Sequence, residues 1–153
     1  MFARPHRNAF VQGIAVLLLG AIGACLLPVR PACGDESAGT LKAGMAKVVI
    51  TPPVGTRLSG YANRTQPSIE VLDDLYAKAL VLDNGTQRVA LVVCDIIGFR
   101  GDMVNEMRGL IHEQTGIEPD HVMITCTHTH TGPNLSAADG VYIDSLKARV
   151  AEA

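Results

Sequence analysis

The sequence predicts an α/β (or α+β) fold: a mixed sheet with a β-hairpin followed by a βαβ unit, forming an incomplete part of a larger domain. Three observations carry this. Two β-rich apolar runs flank Asp83-Asn84-Gly85-Thr86, and Asn-Gly tolerates the positive φ of a tight hairpin. The apolar spacing then switches from strand-like in Val89–Cys94 to helical in Met103, Val104, Met107, Leu110 and Ile111. A further β-rich run, Val122–Thr125, follows Pro119, and strand–helix–strand over this distance implies parallel strands.

Taken in order, residues 1–34 predict an export signal peptide or an N-terminal anchor. Arg4, His6 and Arg7 make a basic start, Val11–Leu27 is apolar, and Ala32-Cys33-Gly34 offers small residues for cleavage. The apolar run also approaches the length of a membrane span. Ile22-Gly23-Ala24-Cys25 has the shape of a bacterial lipobox, though Leu26-Leu27 fits that processing poorly. The expected location is outside the cytoplasm, secreted or periplasmic. Residues 35–42 read as a polar linker, and residues 43–153 as the folded part.

Met45–Ile50 is the first strand, ended by Pro52-Pro53, which cannot donate to a ladder. Ser59–Ser68 reads as a long polar surface loop, the kind of segment that often carries function. Leu75–Leu82 and Arg88–Cys94 form the hairpin. The unbroken apolar run Val89–Cys94 predicts a strand covered on both faces. Asp102 is placed to cap the following helix, with Gly116 as its C-terminal stop. Asp144–Ala153 begins a second helix.

The formal net charge of −2 and the absence of Trp argue against nucleic acid as a partner. Cys94 and Cys126 form no CxxC pair, so a cysteine zinc site is not indicated. They read as buried thiols, or as a disulfide if the chain is exported.

The chemistry concentrates at Thr125-Cys126-Thr127-His128-Thr129-His130-Thr131-Gly132-Pro133. Ligands in such folds collect beyond the carboxyl ends of the strands. Asp95 ends the third strand there, and His128 and His130 follow the fourth. In an extended backbone, residues two apart project to one side, so both imidazoles can face one site. Neutral imidazole suits zinc, and Asp95 could orient a ligand ring from behind. The alternative is an ordinary exposed polar loop. His112 and His121 read as solvated and loop residues, and Asp73-Asp74 as a solvated turn. Arg64, in the long loop, is a candidate for an anionic or polar substrate group. Ser59 lacks the Gly-x-Ser-x-Gly setting of a nucleophile elbow.

Several blocks, by their order and spacing, resemble the N-terminal part of the neutral/alkaline non-lysosomal ceramidase family. They are Ala43–Gly55, Ser59-Gly60-Tyr61-Ala62, Leu75–Leu82, Cys94-Asp95 and Thr127–Pro133. The resemblance implies a zinc-dependent amidase that cleaves the N-acyl bond of ceramide-like lipids to fatty acid and sphingosine. It implies that the substrate is met at a membrane surface, that His128 is a zinc ligand and that His130, beside it, is the substrate-side catalytic residue. Thr131 stands where the family usually has Ser, and Leu72-Asp73 where it often has His-Asp. The family's other ligands, a His, a Glu and a Tyr, lie beyond this sequence. Residues 43–153 are therefore expected to be the N-terminal portion of a catalytic domain, holding part of a zinc site and inactive alone. The alternative is a small exported metal- or ligand-binding module without catalysis.

Overall fold

The computed structural model describes residues 40–153. The expected signal or anchor at 1–34 and most of the 35–42 linker lie outside the described residues. The linker gives way slightly early, because Lys42 already belongs to the first strand.

Four strands form one mixed sheet in the order β1-β2-β3-β4: β1 Lys42–Val49, β2 Tyr76–Asp83, β3 Arg88–Cys94 and β4 Val122–Cys126. β1–β2 and β2–β3 are antiparallel, and β3–β4 is parallel. The hairpin turn forms as its residues dictate. Gly85 takes φ 87°, and the Asn84 side-chain oxygen accepts from the backbone N–H groups of Thr86 and Gln87.

Helix α1, Gly101–Thr115, connects β3 to β4 through one 3-10 turn at Pro119–His121. The α1 entry differs from expectation. Its N-cap is Arg100, without a side-chain cap bond, and Asp102 lies inside the first turn. There Asp102 pairs with Arg100 at 2.7 Å, so its negative charge still faces the positive helix end. Gly116 stops the helix as expected, in the left-handed region at φ 69°. Helix α2, Gly140–Glu152, starts one turn before Asp144, because the Asp139 carboxylate caps it by accepting from Tyr142 N–H at 2.7 Å.

Both helices cover one sheet face. That side holds Ala77, Ala79, Ala90, Val92, Cys94 and Val122, packed against Met103, Met107, Leu146 and Val150. The Tyr142 hydroxyl donates to the Ile50 carbonyl at 2.8 Å, tying α2 to the end of β1. The expectation that β3 is covered on both faces does not hold among the described residues. Its burial alternates, with Val89, Leu91 and Val93 only half-buried. On that second face the register aligns Met45, Leu80, Leu91 and Met123 in one row across the four strands. Met45 is 82% exposed and Met123 55%.

Cys94 and Cys126 sit opposite each other in the β3–β4 register as free thiols. Burial, then the neighbouring Cys126 and Asp95, pushes the Cys94 thiol up to about 12 from the ordinary 9.0. Burial likewise raises the Tyr142 phenol. For an acid whose folded pKa is raised, the native state holds its proton where the unfolded chain has lost it. The stabilisation is complete below pH 9 and is lost as pH climbs toward 12. The urea midpoint is therefore expected to fall between pH 9 and 12, less steeply in Cys94→Ala. An identical slope in that variant would assign the loss elsewhere.

Candidate functional site

The parallel pairing of β3 and β4 brings both predicted rim features to one end of the sheet. The pairing extends past the strands: Thr127 N–H donates to the Cys94 carbonyl at 3.0 Å and Thr129 N–H to the Ile96 carbonyl at 3.3 Å. The histidine loop thus begins as a continuation of the ladder.

It does not stay extended. His128 takes φ 59° and Thr131 φ 65°, both in the left-handed region. Such backbone is costly for a β-branched residue and persists only where neighbours enforce it. The enforcing neighbour is the loop between β1 and β2. Ser59 N–H donates to the Gly132 carbonyl, Thr131 N–H to the Ser59 carbonyl, and Asn134 N–H to the Arg57 carbonyl, at 2.8–3.1 Å. The Ser59 hydroxyl also reaches the Gly132 and Pro133 carbonyls, both at 3.2 Å, so Ser59 clasps two loops together. The two imidazoles still come together, but through this folded loop and not through strand alternation. Their centroids are 5.3 Å apart and their planes tilted by 58°.

His128 is oriented from behind by a backbone group. Its Nδ1 lies 2.9 Å from the Ile97 carbonyl oxygen. A carbonyl only accepts, so Nδ1 is the donor, and in that tautomer Nε2 is the nitrogen left for a metal on this exposed residue. That is the arrangement a metal-binding histidine adopts.

The expected orienting role of Asp95 is not observed. Its carboxylate accepts from Tyr76 N–H at 3.1 Å and Lys78 Nζ at 3.1 Å, with a longer approach from the Thr127 hydroxyl at 3.4 Å. Asp95 therefore locks β2 to the end of β3, and the Ile97 carbonyl does the work expected of it. Ile97 carries no sequence signal, because it acts through its main chain.

His130 rests on Gly60 and Tyr61. A Cβ on Gly60 would come within 2.6 Å of His130 Cγ and 2.9 Å of its Cα, and Gly60 has φ 98°. Only glycine allows this approach. The Tyr61 ring meets His130 edge-on, at 5.2 Å and 87°. The Arg64 guanidinium lies 5.1 Å from the centre of the other side of this array, the Tyr61 ring. Arg64, Tyr61, His130 and His128 thus follow one another across the rim. Reading Ser59–Ser68 as a surface loop gave Gly60 and Tyr61 no role at the site, although both stand in a block that carries the family resemblance. Their signal was a glycine beside an aromatic in a segment otherwise too polar to pack.

The remaining candidates are structural. His112 Nδ1 meets the Ile117 carbonyl at 3.1 Å, so it ties the end of α1 and is not simply solvated. His121 pairs with the Gln87 side chain at 3.2 Å. Asp74 accepts from the Thr51 hydroxyl at 2.7 Å, bracing the turn before β2. Among the described residues, no group of three or more His, Cys, Asp or Glu is placed to hold a metal ion. His128 fits a zinc ligand, but among the described residues only His130 joins it at this rim, fewer ligands than a zinc centre requires.

Fold and rim define the class: an α/β protein with paired imidazoles beyond the carboxyl ends of its parallel strands, backed by a clasped loop. Comparison with known proteins narrows it. The family described as neutral/alkaline non-lysosomal ceramidase, N-terminal, matches residues 41–146, and the chain belongs to that family. Neutral ceramidase of Drosophila melanogaster is 34% identical over 116 residues, covering 70% of this chain and 16% of the relative. That of Drosophila pseudoobscura pseudoobscura is 32% identical over 118 residues, covering 71% and 16%. The chain thus spans about one sixth of these relatives. The fold is similar to the crystal structure of neutral ceramidase from Pseudomonas aeruginosa, with TM-score 0.63 at 19% identity, covering 73% of this chain and 20% of that one. A ceramidase structure in complex with C2 gives TM-score 0.62 at 20% identity.

Proposed function

We propose that this chain supplies the first part of a zinc-dependent amide-hydrolase centre acting on ceramide-like lipids, releasing fatty acid and sphingosine. The observation that carries the reading is His128, an exposed residue whose Nδ1–H is fixed on the Ile97 carbonyl, leaving Nε2 as its donor nitrogen. His128 would be the chain's zinc ligand. His130, 5.3 Å away and seated on Gly60, would hold or move a proton at the substrate. Zinc, when bound, would polarise water and the scissile carbonyl. The family membership of residues 41–146 supports the substrate class. The apolar N-terminal sequence supports export and work at a membrane surface. With two imidazoles brought together at the rim, the chain forms a partial centre, inactive until further ligands join it.

Zinc titration of the purified chain, followed through its imidazole NMR signals, tests this. His128 is expected to respond first, with weak affinity and no turnover of a fluorescent N-acyl sphingosine. Saturation at sub-micromolar zinc without turnover, in a set that includes His112 or His121, would favour a complete binding module instead.

A further inference from the structure

Beside the histidines runs a groove of about 560 Å³, between the loop that clasps them and the segment leading into β2. Thr129 and Thr131, the two residues flanking His130, form one end of it. Leu58, Val71, Leu72 and Leu75 supply apolar wall, and Leu72 is 82% exposed along it. Arg64 lines the same groove. Its Nη1 is shut off from solvent and has no hydrogen-bond partner among the described residues. That covered N–H is unsatisfied as the loop stands, and a carboxylate, the acceptor that best suits the planar fork, would reach it with a small shift of the Arg64 side chain.

We infer that this groove binds an anionic acyl amphiphile, its chain along the Leu58–Leu72 wall and its carboxylate on Arg64. The geometry gives Arg64 a specificity role that a neutral lipid would not need. Tyr61 holds the guanidinium by stacking, and the same ring abuts His130, so the bound head group lies one aromatic ring from the imidazole pair. Glu70 and Asp73 also line the groove. Both are exposed, and their charges oppose an anion through screened solvent, whereas the Arg64 contact is sheltered. The carboxylate has two possible sources: the free fatty acid of an amide cleavage, or the carboxyl group of an N-acyl amino acid. The inference rests on the amide-hydrolase reading only for the choice between them.

Isothermal titration of the purified chain with octanoate, N-octanoylglycine and octanamide tests it. At least one acid is expected to bind tenfold or more tighter than the amide. Arg64→Leu should remove that preference, and Arg64→Lys should restore part of it. The paired change Glu70→Gln and Asp73→Asn removes two opposing charges from the groove and should widen the preference for the acids over the amide. It reads the same charge if Arg64→Leu fails to fold. Tighter octanoate marks the groove as the product's site, and tighter N-octanoylglycine marks an anionic substrate. Equal affinity for acids and amide, or acid binding indifferent to Arg64, overturns the inference. These constants need no turnover, so failure of the hydrolase reading would leave them unchanged.

Discussion

Replacing His128 by alanine is expected to lower hydrolysis of a fluorescent N-acyl sphingosine at least about 100-fold, since loss of even an outer-shell partner of a metal ligand costs 10–100-fold. The assay needs a complete centre. A suitable one is a chimera in which residues 41–146 replace the matching stretch of a neutral ceramidase. The argument rests on tautomer and direction. The Ile97 carbonyl fixes the proton on Nδ1, so Nε2 is the available donor, and alanine leaves nothing in its place. His128→Gln offers an amide oxygen at a similar reach but a poorer zinc donor, so it should also lose zinc. Turnover within threefold of the parent in His128→Ala would remove His128 from the centre. The fold should hold, because the ring is exposed and the loop is fixed by its backbone.

The second large effect is expected from Gly60→Ala. The added methyl would stand 2.6–2.9 Å from three atoms of His130, one of them in its backbone. Real contacts are not that short, so the histidine loop must give way. A displacement of about 1 Å at a reacting group costs on the order of 100-fold in rate. Zinc affinity should change far less, because His128 is held from the other side, by Ile97. A stability loss of about 1–3 kcal/mol should accompany it, from the positive φ and the contact together. Gly55→Ala separates these causes. Gly55 also has a positive φ, 95°, but its Cβ would meet nothing within 4 Å. It should lose stability and keep its rate. If Gly60→Ala in the chimera hydrolyses lipid as fast as Gly55→Ala does, His130 has no role in the reaction.

The sheet, its hairpin and the βαβ unit were legible because each depends on local pattern: the Asn84-Gly85 turn, the helical spacing from Met103 to Ile111, the stop at Gly116. The helix starts were less so. Capping is a contest between nearby acids, and the sequence offers both Asp139 and Asp144, with Asp102 close behind Arg100. The site was legible in its side chains and illegible in its main chain. His128 and His130 stand out as residue types, but the group that orients His128 is a carbonyl that any residue could supply. Asp95 illustrates the converse. It is the right residue type at the right strand end, yet the Tyr76 N–H and the Lys78 ammonium on the adjacent strand claim it. Nor does strand alternation explain how the imidazoles meet. That depends on the left-handed turn at His128, in a loop held by Ile97 on one side and by Ser59 on the other.

The row Met45–Leu80–Leu91–Met123 has a calorimetric meaning. The heat capacity released on unfolding scales with apolar surface newly wetted, and surface already in water adds nothing to it. The exposed ends of this row, Met45 and Met123, therefore contribute little curvature to the temperature dependence of stability. The isolated chain should have a broad, shallow curve, resisting cold as weakly or as well as warmth. A partner surface that dries this row would deepen the curve and bend it, changing the temperature response of the histidine rim without touching it.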